Sequence, residues 1–320
     1  MVGVFIRTTE AMCGIAGYLD KKSGQAPVGK KLLLMLEALG QRGPDSAGLA
    51  LFGTGVPGRE ICWVKLPEHG DREDAVVDAL ELIGSVAHVR AHRLTDGLLR
   101  AEIERRTTAA EFCAKVESST VSLEIISLGS RLELVKQVGA PSNVTRLFDA
   151  NGFRGSHGIG HTRLSTESRV DLSHSQPFWA RGVPDLATVH NGHITNYHRL
   201  RRVYEQLGVR FFTENDSEVI GVYLADQLAR GFSLEDAMKH SLADLDGSFT
   251  YLVATPDYFG FARDPFALKP LLIVETDDYV ALANEEVAIR YALNNAGVAQ
   301  EPSGNVYRLW RRPAVLAAAS

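Results

Sequence analysis

After Gly247 the chain breaks into apolar runs at 248–254, 258–262, 271–274, 279–283 and 306–310, the first two joined only by the turn Thr255-Pro256-Asp257. Parallel neighbours need a crossover of a dozen or more residues, and most of these gaps are far shorter, so the strands pair antiparallel. A chain that ends this way must bury the sheet by laying other layers against it.

The rest of the sequence supplies those layers. Residues 13–19 form a short apolar strand, Lys21-Lys22-Ser23-Gly24 a turn, and 28–39 a helix whose Leu32, Leu33, Met35, Leu36 and Leu39 share one face before Gly40. The segment 41–48 is expected to be loop, leading into a strand at 49–52. From about 53 to 155 the pattern changes. A Gly/Pro-rich opening, a helix with Val76, Leu80 and Ile83 on one side, the segment 107–117 and a strand-like 121–128 read as an insertion or subdomain. Apolar strands ending in polar residues resume at 158–163 and 186–192. Three helices follow, at 196–207, from Asp216-Ser217 with Val219, Ile220, Tyr223 and Leu224 inward, and from the capping pattern Ser233…Asp236. Strands, helices, then strands, without strict βαβ alternation, predict an α+β fold with helices layered on antiparallel sheets rather than a doubly wound one.

The chain has 320 residues, 45% hydrophobic and 23% charged, with 34 Lys and Arg against 39 Asp and Glu. That balance offers no general attraction to nucleic acid or an anionic membrane, and no stretch is apolar enough to span a bilayer, so small-molecule chemistry is expected. Cys13, Cys62 and Cys113 are odd in number and lack metal spacing, which predicts neither a disulfide framework nor a zinc site and suits a reducing cytoplasm. His88 and His92 lack a third ligand, so no metal is expected.

Met12-Cys13-Gly14-Ile15-Ala16-Gly17-Tyr18 carries the sharpest chemical possibility. Residues 1–12 have one arginine after a four-residue apolar run, too little for an export signal, and read as a leader, a propeptide or a mis-assigned start. Without them Cys13 is N-terminal, and its own α-amine, with an ordinary pKa near ~8, can shuttle protons for the adjacent thiol. The opposed reading is a buried strand cysteine that packs as a small hydrophobe. His161 and His190, on strand segments, read as core histidines with one hydrogen bond each.

Cys13-Gly14-Ile15, Arg42-Gly43-Pro44-Asp45-Ser46-Ala47-Gly48, His161-Thr162-Arg163-Leu164-Ser165-Thr166, His190-Asn191-Gly192 and Asn215-Asp216-Ser217-Glu218 occur in an order that resembles the class II glutamine amidotransferases. The resemblance extends through Arg263-Asp264-Pro265 and Lys269-Pro270-Leu271 and leaves out only the insertion. It implies the N-terminal nucleophile hydrolase fold, a four-layer αββα sandwich over 13–320. It also implies Cys13 as nucleophile, the Asn191 side chain and Gly192 N–H as oxyanion hole, and Arg163 and Asp216 as receivers of the α-carboxylate and α-ammonium of L-glutamine. Thr166 matches a pocket-lining position, and Arg42 the arginine that steadies the nucleophile's strand. Asp216 equally suits a helix N-cap, Arg163 a surface ion pair, and Asn-Gly a hairpin turn.

Leu164 and Glu167 stand where many members have tryptophan and histidine, which draws the chain toward the glutamate synthase branch. Asn284 stands where others often carry serine. A chain with this long insertion, and with phrases outside it such as His174-Ser175-Gln176-Pro177-Phe178-Trp179, is similar to the stand-alone glutaminase subunits of split glutamate synthase and methylamine-glutamate N-methyltransferase. That likeness implies no cofactor in this chain, flavin and iron–sulfur centres on synthase partner subunits, and a hetero-oligomer. A self-sufficient γ-glutamyl amide hydrolase, or a non-catalytic subunit that retains residues 1–12, stays open beside it.

Overall fold

The computed structural model describes residues 13–40, 43–118, 122–164, 169–294 and 296–313. Strand β1 (Gly14–Asp20) is buried along its whole length because it has neighbours on every side. It runs antiparallel between β8 (His157–Arg163) and β14 (Tyr279–Ala283), with Gly14 opposite Thr162 and Ala16 opposite Ala283. Adding β2 (Ser46–Phe52), β7 (Leu132–Val138) and β13 (Leu272–Glu275) completes a six-stranded sheet of order β13-β14-β1-β8-β2-β7. Helices α1 (Val28–Leu39) and α8 (Glu286–Ala292) cover one face. Glycine lets α1 come close: a Cβ on Gly158 would lie 2.8 Å from Leu32 Cδ1.

The other face meets a five-stranded sheet, β15-β12-β11-β10-β9, built from β9 (Phe178–Trp179), β10 (Ala187–Ile194), β11 (Gly247–Ala254), β12 (Tyr258–Arg263) and β15 (Val306–Arg311). The sheets pack closely, since a Cβ on Gly17 would lie 2.7 Å from the Phe259 ring. Helices α5 (Tyr197–Gln206), α6 (Asp216–Ala229) and α7 (Leu234–Asp244) bury Val219, Leu224, Met238 and their neighbours against the outer side of this second sheet. The result is the four-layer αββα sandwich with antiparallel sheets that the sequence predicts.

The stretch expected as an insertion divides in two. β3 (Glu60–Lys65), α2 (Arg72–Val86), β4 (Ala87–Thr95), β5 (Leu98–Arg105), α3 (Ala109–Glu117) and β6 (Glu124–Gly129) form a separate four-stranded sheet, β4-β5-β3-β6, carrying two helices. After it the chain rejoins the sandwich: β7 pairs with β2, α4 (Val144–Leu147) follows, and Gly155 bridges Ala26. The loop expected over 41–48 is shorter than predicted, because Ser46, Ala47 and Gly48 already pair with Arg163, Thr162 and His161 as part of β2. Their small size suits a strand under a close neighbour: a Cβ on Gly48 would lie 2.3 Å from Gln176 O. Among the described residues no helix is long and apolar enough to cross a membrane.

Candidate active site

Strand alternation sorts the candidate residues. On β8, Gly158 and Gly160 point at α1, so His157, Ile159, His161 and Arg163 point between the sheets. On β1 the same parity sends Cys13, Ile15 and Gly17 inward. On β10, His190 turns out toward α6, where its Nδ1 lies 2.8 Å from Ser217 Oγ, so Val189 and Asn191 face the six-stranded sheet. Cys13, Arg163 and Asn191 thus converge on one end of the inter-sheet space. Asp216, in the first turn of α6, reaches it from the side. Its Oδ2 accepts from Ile194 N at 2.8 Å and its Oδ1 lies 3.8 Å from His190 Nδ1.

The Cys13 thiol donates weakly to Leu164 O at 3.6 Å. Burial pushes its pKa up; the Arg163 guanidinium pulls it down and the Asp216 carboxylate raises it, so all three groups share one electrostatic site. Arg163 is itself depressed by burial and fastened by an Nη1 bond to Arg169 O at 2.7 Å. Asn191 is buried and its Nδ2 has no hydrogen-bond partner among the described residues. Gly192 has φ +141°, and a Cβ there would lie 2.2 Å from Ser248 O, so only glycine fits against β11. Arg42, Thr166 and Glu167 lie outside the described residues. Beside Arg42, Gly43 is pressed so tightly on β8 that a Cβ would lie 2.5 Å from the Thr162 carbonyl carbon.

Two expectations need correction. Asp216 is not the helix cap: Asn215 is, with its side chain accepting from Ser217 N at 3.0 Å, which leaves the Asp216 carboxylate for Ile194 and the site. His161 does not make a well-formed bond. It is fully buried, and its ring nitrogens have only a poorly aligned approach to the His190 backbone. Burial lowers its pKa to about 3, so it is neutral. Among the described residues no cluster of three or more His, Cys, Asp or Glu is arranged to hold a metal ion.

Full-length similarity joins this geometry to known proteins. The chain is 39% identical over 281 residues to the glutamine amidotransferase-like protein GlxB of Rhizobium meliloti, covering 87% of this chain and 91% of that one. It is 36% identical over 301 residues to a Methanothermobacter thermautotrophicus protein named provisionally as a glutamine amidotransferase, covering 92% and 98%. The chain belongs to the class II glutamine amidotransferases. A family model described as a glutamine amidotransferase domain matches residues 161–291, from the inner end of β8 to α8. The fold is that of the Bacillus subtilis glutamine phosphoribosylpyrophosphate amidotransferase solved with ADP and GMP, at a TM-score of 0.59 and 20% identity. The match covers 93% of this amidotransferase and 49% of that chain.

Residues that sequence reading passed over hold the candidate site of this amidotransferase in place. Asn284, just past β14, accepts from Ile15 N through Oδ1 and donates to Pro270 O at 3.0 Å, pinning the start of β1. Gln176 clamps β10, accepting from His190 N at 2.7 Å and donating to His190 O and Ser217 Oγ, each at 3.1 Å. Asp264 supports the turn after β12 by accepting from Phe249, Phe266 and Ala267 N–H groups. In the sequence Asp264 was marked by the Arg263-Asp264-Pro265 motif, whereas Asn284 and Gln176 showed only as points of likeness or departure with no role attached.

Proposed function

We propose that the chain hydrolyses the side-chain amide of L-glutamine through Cys13. The Cys13 thiol passes its proton to its own α-amine as the sulfur attacks the amide carbon, and the amide oxygen becomes an oxyanion. The intermediate collapses to a γ-glutamyl thioester as ammonia leaves with a proton from the Cys13 α-amine. Water then cleaves the thioester to glutamate and the free thiol. The observation that carries this reading is the buried, unpartnered Nδ2 of Asn191, directed into the same space as Cys13. Such an orphan donor costs about 1–3 kcal/mol, a penalty that an oxyanion would remove. With the Gly192 N–H beside it, it suits the two-donor requirement of a tetrahedral intermediate. Arg163 suits a carboxylate and Asp216 an ammonium, which together would measure free glutamine at its α-carbon.

On this reading residues 1–12 are absent from the working enzyme, and ammonia passes to a separate synthase subunit, of glutamate synthase or N-methylglutamate synthase type, that holds the flavin and iron–sulfur centres. The test is release of glutamate and ammonia from glutamine by the purified protein, with intact mass recorded on the same sample. Cys13→Ala is expected to abolish release. Retained activity in that variant, or active enzyme whose mass still includes residues 1–12, overturns the mechanism.

A further inference from the structure

Among the described residues the extra four-stranded sheet reaches the candidate site through the loop 169–177. Residues 169–177 run from Arg163's partner to β9, and their polar contacts reach Arg163, the start of α6 and the residue before Asn191. Arg169 O receives the Arg163 guanidinium at 2.7 Å. His174 O receives Asn215 Nδ2, at the start of the helix that carries Asp216, at 3.4 Å. Gln176 grips His190, the residue before Asn191. The loop holds its own shape through Asp171, which accepts from His174 N at 2.9 Å and lies 2.7 Å from His174 Nδ1.

Ser173, buried at the middle of this loop, is held from the insertion. Lys65 at the end of β3 donates to Ser173 Oγ at 3.0 Å, and Ser173 Oγ donates to Glu124 Oε2, at the start of β6, at 2.5 Å. Two strands that are neighbours only in the extra sheet therefore close on one hydroxyl. From the sandwich side, buried Lys136 on β7 donates to Ser173 O and Ser175 O at 3.3 and 2.8 Å. We infer that Lys65, Ser173 and Glu124 are positioning residues: the insertion acts as a brace that sets the 169–177 loop and, through Arg169, the direction of Arg163 toward the α-carboxylate of glutamine. None of the three touches the reacting atoms, so their effect falls on substrate affinity rather than on the chemical step.

This rests on the glutaminase reading, and the experiment separates the two. Lys65→Met, Glu124→Gln, Ser173→Ala and Ser173→Thr are compared with the unchanged enzyme for kcat and KM with glutamine. In parallel, glutamine affinity is measured by calorimetry with Cys13→Ala in each background. Loss of one bridging bond is expected to raise KM and Kd about tenfold with kcat within twofold, and Ser173→Thr, which keeps the hydroxyl, restores both. Arg90→Ala, which breaks only the exposed Arg90–Glu104 pair on the far strand of the same sheet, leaves KM unchanged. Lys65 and Glu124 are partly exposed, so their variants keep the test valid if Ser173→Ala fails to fold. Unchanged KM and Kd in Lys65→Met and Glu124→Gln overturn the brace and leave the glutaminase reading standing. Absence of both turnover and glutamine binding in the unchanged enzyme overturns that reading instead.

Discussion

Asn284 joins two backbone segments that must stay aligned if Cys13 is to face Asn191. Its Oδ1 takes the buried Ile15 N–H and its Nδ2 reaches the partly buried Pro270 O. Removing the side chain strands a buried N–H and a carbonyl, so Asn284→Ala is expected to lose about 1–3 kcal/mol in urea denaturation and to lower kcat for glutamine more than it raises KM. A variant as stable and as active as the parent would show that β1 is aligned by its two neighbouring strands alone. In the sequence this residue was visible only as an asparagine where related proteins carry serine, because a bond to a backbone 269 positions away leaves no local pattern. Asn191-Gly192 was legible, but a hairpin turn explained it equally well. The structure excludes the turn, since both residues lie within β10, opposite Thr250 and Phe249.

At the level of elements, α6 separates two roles that its sequence merged. Asn215 caps the helix through Ser217 N, whereas Asp216 bonds Ile194 N on the neighbouring strand. Asn215→Ala is therefore expected to cost about 1 kcal/mol of stability. Asp216→Asn, which keeps an oxygen for Ile194 N and removes the charge, is expected to weaken glutamine affinity at least tenfold with the melting temperature unchanged. Paired melting and calorimetry measurements check this, and a stability loss confined to Asp216→Asn would return the capping role to that residue. The long helices of the sandwich and the central strands of its two main sheets were readable because burial imposes a period on them. β4 was missed for the opposite reason. α2 runs into β4 at Val86–Ala87 without a Gly or Pro break, and β4 is an edge strand whose Ala-His-Val-Arg-Ala-His-Arg-Leu-Thr sequence is mostly exposed. The early start of β2 was hidden by Ser46 and Gly48, turn-like residues chosen here for size.

Across the whole molecule, the space between the two main sheets is an apolar core with two histidines set into it. His157 is fully buried, stacks on Phe52 with centroids 4.6 Å apart, and places Nδ1 2.8 Å from Ser156 Oγ and Nε2 2.7 Å from Thr255 O. Burial lowers its pKa to about 4, with Arg312 and Arg131 adding to the depression and the Thr255 carbonyl and Asp257 opposing it; His161 falls to about 3 for the same leading reason. An unfolded histidine titrates near ~6.5, so above that pH both states are neutral and neither residue alters stability. Below it the unfolded chain binds protons that the folded sandwich refuses, and stability falls as pH drops from ~6.5 toward 4. At ~1.4 kcal/mol per pH unit, each histidine accounts for roughly 2 kcal/mol of loss by pH 5. Unfolding free energies at pH 7 and pH 5 are expected to differ by at least the sum of the two, because burial also depresses His190 on the outer side of the second sheet. His157→Gln, whose amide can still donate to Thr255 O, removes roughly 2 kcal/mol of that difference, because it takes one titrating group out of the core while leaving the sheets to pack as before. An equal pH 7 to pH 5 loss in parent and variant would show that His157 carries none of the acid sensitivity.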